Sequence, residues 1–378
     1  MSMKSEAVST VTWANNLLGG AISTRKQRRS NCRSFIDWCF KNNRPLMSMR
    51  DARLDYVKGY FHSLGLPPDA TVTIDEFAVE FFKLGGSKPL SVATFHNLLG
   101  SIRRAIQALR GDPDALGITA QALGLPKKDR NGKKLPMTDD LFEGAVQAAQ
   151  AAGEFGFALC LGIERYFGHR GLEALMSPTE LKKYALEAHT YVRQRHHPGH
   201  EETRPVLPAL GVRDGTKGGR YRQTVMIEKY ARESLEVISA TMAYLTTHKF
   251  LVEGKTQGLK SARARYCALA RQAGLTGQYS PHSLRYRYAV DKLEEMRDAG
   301  VSRQDALVLC AAFLGHGPSR GQLVSKVYGR TIVHTFPKTR KRRDFAAAQL
   351  EVSKLIDQHF SKPSQCSGIS NLTIPPDI

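Results

Sequence analysis

The sequence predicts a mainly helical protein with one small β-sheet, divided into a helical N-terminal domain and an α+β C-terminal domain. Three observations carry this expectation. Apolar residues recur at helical spacing through most of the chain, whereas a single stretch, 207–227, alternates and breaks at glycines as a hairpin does. Between Leu125 and Met137 the composition turns polar, basic and proline-bounded, which marks a linker. The length of 378 residues is comfortable for two cores.

Taken in order, Cys32–Phe40 places Phe35, Ile36, Cys39 and Phe40 at helical spacing, after the basic run Arg25, Lys26, Arg28 and Arg29. Further helices are expected at 51–63, 74–83 and 91–109. The last carries Phe95, Leu98, Leu99, Ile102, Ile106 and Leu109 on one stripe, with Arg103 and Arg104 turned partly away. After the linker, Thr138 is an N-cap and Asp139 and Asp140 are first-turn acids for a helix running toward Ala152. Residues 155–176 read as helix, turn, helix around Gly168, His169 and Arg170. The hairpin turn falls at Asp214–Gly219, and 231–360 is again mostly helical. The expected organisation is a helical domain over 1–124, a basic linker over 125–137, an α+β domain over 138–360 and a loose tail over 361–378.

With 55 Lys and Arg against 35 Asp and Glu, the chain carries a net charge of +20 and a pI near 9.8. Its 42% apolar and 24% charged residues describe a folded protein and exclude a disordered, collagen-like or membrane-spanning chain. Residues 1–10 lack the apolar run of a secretory signal, so a cytoplasmic location is expected. The six cysteines form no C-x-x-C pair, which argues against a disulfide scaffold or zinc ribbon. His196, His197 and His200 beside Pro198-Gly199 read as a solvated loop rather than a metal site, and no P-loop is present. A +20 excess points to a polyanion, nucleic acid first. Arg25, Lys26, Arg28, Arg29, Arg103, Arg104, Lys127, Lys128, Lys133 and Lys134 are the expected phosphate contacts.

Cutting a phosphodiester without a metal needs an oxygen nucleophile, a cationic clamp on the non-bridging oxygens and an acid for the departing sugar oxygen. Arginine suits the clamp because its planar fork meets two phosphate oxygens and keeps its proton. Five segments offer such groups in order: Gly168-His169-Arg170-Gly171-Leu172-Glu173, then Thr216-Lys217-Gly218-Gly219-Arg220 at the hairpin tip, then Pro281-His282-Ser283-Leu284-Arg285, then Leu314-Gly315-His316, then Lys326-Val327-Tyr328-Gly329-Arg330. The three-residue step puts His282 and Arg285 on one helical face.

From about Thr138 to Arg330 this ensemble resembles the tyrosine recombinase family of phage integrases, and the helical first domain with its basic linker is similar to that family's core-binding domain. The resemblance implies that Tyr328 attacks the scissile phosphate to form a 3′-phosphotyrosine, that Arg170 and Arg285 hold the phosphate oxygens, and that Lys217 protonates the leaving 5′ oxygen. It further implies proton transfer by His282, a phosphate hydrogen bond from His316 and an orienting role for Glu173, with no cofactor, metal or ATP. Double-stranded DNA at specific recombination sites is the implied partner. The chain would act as a homotetramer on two sites, docked through a C-terminal helix bearing Phe345, Leu350, Val352, Leu355, Ile356 and Phe360, with room for accessory DNA-bending proteins.

The sequence departs from the family in a longer interval between His316 and Tyr328, in Tyr286, Arg287 and Tyr288 after the H-x-L-R arginine, and in a longer stretch over 180–205. A type IB topoisomerase-like relaxing enzyme and a non-catalytic, sequence-specific DNA-binding protein on a recombinase fold are the alternatives.

Overall fold

The computed structural model describes residues 2–69, 71–86, 89–111, 117–127, 134–176, 181, 184–188, 208–216, 219, 221–256 and 258–336. Lys128, Lys133, Lys217, the histidines at 196, 197 and 200, the expected C-terminal helix and the tail lie outside them. The chain divides into two compact units, 1–130 and 131–378, so the division falls inside the basic segment. Among the described residues no helix is long and apolar enough to cross a membrane.

Among its described residues the first unit contains five α-helices: α1 (Met3–Leu18), α2 (Ile22–Lys41), α3 (Leu54–Ser63), α4 (Ile74–Lys83) and α5 (Val92–Arg110). Starts are set by side-chain caps: Ser91 accepts from the Thr94 amide, and Thr73 and Glu76 close a capping box. Helix α5 ends at Gly111, whose φ of 86° is the left-handed cap that glycine adopts without strain. The predicted stripe from Phe95 to Leu109 is buried, and it meets Phe35, Ile36 and Phe61 in one core. The expected helix at 51–63 begins later, because Ser48 and Asp51 first close a 3-10 turn over Met49–Asp51.

In the second unit, α6 (Asp139–Ala151) starts at the predicted cap, where Thr138 accepts from the Leu141 amide. Helix α7 (Phe155–Phe167) is buried on nearly every side and packs against α6, α9 (Ala231–Tyr244) and α11 (His282–Asp298). A short α8 (Gly171–Met176) follows the turn after α7. The hairpin pairs β1 (Ala209–Val212) antiparallel to β2 (Arg222–Val225), with Val212 opposite Arg222 and Ala209 opposite Val225. Helices α10 (Leu259–Gln272) and α12 (Arg303–Phe313) also belong to this unit, and the described chain closes with a π turn over Val324–Tyr328 and a 3-10 turn over Val333–Thr335. Among the described residues the fold is therefore mainly helical with one two-stranded sheet.

Residues 134–137 are tied into this unit. The Leu135 amide donates to the Gln278 carbonyl at 3.2 Å, and the Met137 amide to the Ser283 carbonyl at 3.2 Å. The free cysteines Cys32, Cys39, Cys160 and Cys310 are buried and Cys267 is exposed.

Candidate active site

Helix α7 cannot run past Gly168, which takes φ 61° and ψ 31°; a Cβ there would stand 2.4 Å from Cδ1 of Tyr288. The chain turns through His169 and re-enters a helix at Gly171, which places Arg170 at the junction. Its backbone amide donates to Oε2 of Glu173 at 2.8 Å and its guanidinium to Oε1 at 2.5 Å. The Arg170 side chain stays 25% exposed, whereas Glu173 beneath it is wholly buried. Glu173 thus orients a guanidinium that stays partly exposed.

Arg285 comes from the first turns of α11 and is fully buried. Its guanidinium donates to the Gly168 and Leu314 carbonyls, and Nη1 lies 3.9 Å from Glu173 Oε2. Burial, then the charges of Arg222 and Arg170, bring it down to about 10, so it remains cationic at neutral pH. Burial would raise the Glu173 carboxyl, but Arg222, His169, Arg285 and Arg170 together hold it well below the usual carboxylate range.

Helix α12 ends in a Schellman turn: the Gly315 amide donates to Ala312 and the His316 amide to Ala311, both at 2.8 Å. The cap and the functional reading of Gly315-His316 therefore coincide, because the cap aims the imidazole. The long interval to Tyr328 folds as a 3-10 turn over Pro318–Arg320, one helical turn over Gly321–Leu323 and the π turn. A 2.8 Å bond from the Gly329 amide to the Val324 carbonyl closes that π turn, a widening common at functional sites. It brings the Tyr328 hydroxyl back to 3.1 Å from Nε2 of His316.

His282 begins α11 and is half-buried, its ring centroid 6.2 Å from that of Tyr328. Burial, then Arg285, Arg170 and Lys134, lowers it to about 4. Burial, then Arg285, Arg170, Arg320 and Arg222, lowers His316 to about 3. Both imidazoles are neutral at neutral pH and free to accept a proton. With His316 protonated at Nδ1, the Tyr328 hydroxyl donates to Nε2. Tyr286 packs on Tyr328 at 4.5 Å between centroids, while the Tyr288 hydroxyl is buried between Thr224 and the Val225 carbonyl. Tyr288 is thereby spent on the hairpin.

Arg170, Glu173, His282, Arg285, His316 and Tyr328 are thus drawn into one cluster. Lys217 lies outside the described residues. The neighbouring Gly215, at φ 72°, packs on α8: a Cβ there would lie 2.6 Å from the Leu172 carbonyl oxygen. Lys134, expected as a linker phosphate contact, donates to the Gly277 carbonyl, and its own carbonyl accepts from Arg330 at 3.5 Å. Among the described residues no group of three or more His, Cys, Asp or Glu side chains could hold a metal ion.

In the first unit Lys26, Arg29 and Arg104 are exposed and Arg25 is half-buried. Arg103 reaches the Ile118 carbonyl at 2.8 Å, and Lys127 is exposed. Arg28 departs from its expected role: it is 5% exposed and its guanidinium donates to Asn15 Oδ1 at 3.0 Å, because its helical position faces α1 rather than solvent. Sequence reasoning missed Arg222 and His169, both buried against Glu173. Arg222 shares the inward parity of Thr224 along β2, and a charge at a core-facing strand position was the available signal.

Residues 124–291 match the family described as Integrase. Over that segment the chain is similar to the integrases. The match contains Arg170, Glu173, His282 and Arg285 and ends before His316 and Tyr328. Among solved structures, the chain is similar to the Tn1549 transposon integrase in complex with circular intermediate DNA, at 13% identity and a TM-score of 0.49, over 92% of this chain and 98% of that one. It is also similar to XerA recombinase, at 14% identity and 0.31 over 94% and 98%, and to XerH site-specific recombinase bound to difH substrate, at 17% and 0.39 over 86% and 92%. The sequence matches none of the curated proteins compared with it.

Proposed function

We propose that the chain is a site-specific DNA recombinase that cuts and rejoins strands through a 3′-phosphotyrosine on Tyr328. The observation that carries this reading is the Tyr328 hydroxyl held 3.1 Å from a neutral His316, beside buried Arg285 and the part-exposed Arg170. In the attack, Tyr328 Oη forms a bond to phosphorus as the bond from phosphorus to the 5′ oxygen breaks. The phenolic proton passes to His316 or His282, and the 5′ oxygen takes a proton from Lys217, the acid implied by the family resemblance. One phosphate ester replaces another, so religation needs no ATP. Arg170 and Arg285 neutralise the charge that builds on the non-bridging oxygens, the part a metal plays in other nucleases.

The partner in this reading is duplex DNA at a defined site, approached through Arg170, Arg320, Arg330 and the exposed basic residues of the first unit. Two such sites held by four copies, with accessory proteins bending the DNA, give strand exchange of the kind a mobile genetic element needs. The protein would then work in the cytoplasm, associated with DNA.

The test starts from a random-sequence duplex pool, from which bound sequences are selected. A plasmid carrying two copies of the selected duplex is then incubated with the full chain. Deletion or inversion between the copies supports the proposal. Relaxation of supercoils without exchange supports a relaxing enzyme instead, and binding with neither product supports a pure DNA-binding protein.

A further inference from the structure

Arg222 is 7% exposed, and at the start of β2 it stands between the two turns that carry the candidate reactive groups. One arm, Nη2, donates to Glu173 Oε2 at 2.6 Å, beneath Arg170. The other, Nη1, donates to the Phe313 carbonyl at 2.5 Å, in the last turn of α12 just before the cap that presents His316. The fit is close on that side as well: a Cβ on Gly315, at φ 65°, would lie 2.5 Å from Arg222 Cδ. Arg222 hydrogen-bonds neither His316 nor Tyr328 in these contacts; its charge helps keep His316 neutral, and its hold on their position runs through the cap.

We infer that Arg222 is a positioning residue that sets the spacing between Arg170 and the His316–Tyr328 pair, by bonding Glu173 with one arm and the α12 terminus with the other. The inference rests on the proposed function and concerns a residue to which that reaction assigns no step. A planar fork is what the position requires, because its two acceptors sit on different elements; a lysine satisfies one of them at a time. Three guanidiniums, those of Arg170, Arg222 and Arg285, converge on the single Glu173 carboxylate, which leaves the pocket a net cation before any phosphate enters.

The experiment measures the rate of covalent adduct formation on a nicked form of the selected duplex, at saturating and at half-saturating DNA, with thermal melts alongside. Arg222→Met is expected to slow the saturated rate about 100-fold, the effect of about an ångström of misplacement, with half-saturation unchanged. Arg222→Lys recovers part of that loss. Combined with Glu173→Gln, Arg222→Met is no slower than the slower single variant, since the two residues act as one unit. A wild-type rate in Arg222→Met overturns the inference, as do effects that simply multiply in the double variant or a loss confined to half-saturation. If Arg222→Met melts without cooperativity, the cycle built on Arg222→Lys decides by the same criteria. A wild-type chain that forms no adduct overturns the proposed function itself, and this inference with it.

Discussion

The hydroxyl of Tyr328 lies 3.1 Å from Nε2 of His316, although twelve residues and three kinds of helical turn separate them in the chain. Burial and the surrounding guanidiniums keep His316 neutral, so that its ring carries a nitrogen lone pair toward which the phenolic hydroxyl can donate. Replacing His316 with alanine removes that partner and leaves the α12 cap, whose bonds are from backbone amides. Adduct formation is expected to fall by about 10² to 10⁴-fold, the usual worth of a positioned acid or base, with DNA binding retained in a gel-shift assay. An adduct rate within a factor of two of wild type would remove His316 from the reaction.

Arg170 and Arg285 should separate function from stability. Arg285 is fully buried and holds two carbonyls, so Arg285→Ala is expected to cost about 3–5 kcal/mol of unfolding free energy as well as activity. Arg170 is partly solvated, and Arg170→Ala should lower adduct formation with a smaller loss in a denaturant melt. Equal destabilisation by the two would contradict this division.

Much of this was legible in the sequence. The His282 and Arg285 pair follows from a three-residue step on a helix, and the Phe95–Leu109 stripe from its period, because local spacing alone decides both. Arg222 offered only its shared parity with Thr224: in Tyr-Arg-Gln after a glycine turn it otherwise reads as a solvated strand residue, and the tertiary approach of Glu173 and Phe313 is what makes burial of its charge favourable. Arg28 failed the other way, as a basic run placed on a helix must turn one member inward, where Asn15 meets it. Helix α1 was missed in detail, although Ser2 caps it and Ala7, Val11 and Ala14 already mark its buried face.

Glu164 gives the stability of the protein a pH dependence. Burial pushes its carboxyl up to about 8 from an ordinary 4.5, against the Tyr266 hydroxyl that donates to it. Between those values the folded chain keeps a proton that the unfolded chain releases, so this contribution is full below pH 4.5 and is lost as pH rises through about 8. Glu164→Gln stays neutral throughout. Its melting temperature should match wild type near pH 5 and exceed it near pH 9; a constant difference across that range would refute the assignment.

Gly168 is required by its backbone. Gly168→Ala places a Cβ 2.4 Å from Tyr288 in a left-handed conformation, and its carbonyl is one of the two that hold Arg285. A loss of at least about 1–2 kcal/mol in a urea melt is expected from the backbone strain alone. An unchanged midpoint would mean that the turn relaxes freely.

The most direct test of the central claim is to identify the residue bonded to DNA. The full chain is incubated with the nicked selected duplex, denatured in detergent and digested, and the nucleotide-bearing peptide is sequenced by mass spectrometry. A single 3′-phosphotyrosine at Tyr328, absent from Tyr328→Phe, is the predicted result. A modification on Tyr286 or any other residue, or an adduct that persists in Tyr328→Phe, would contradict it.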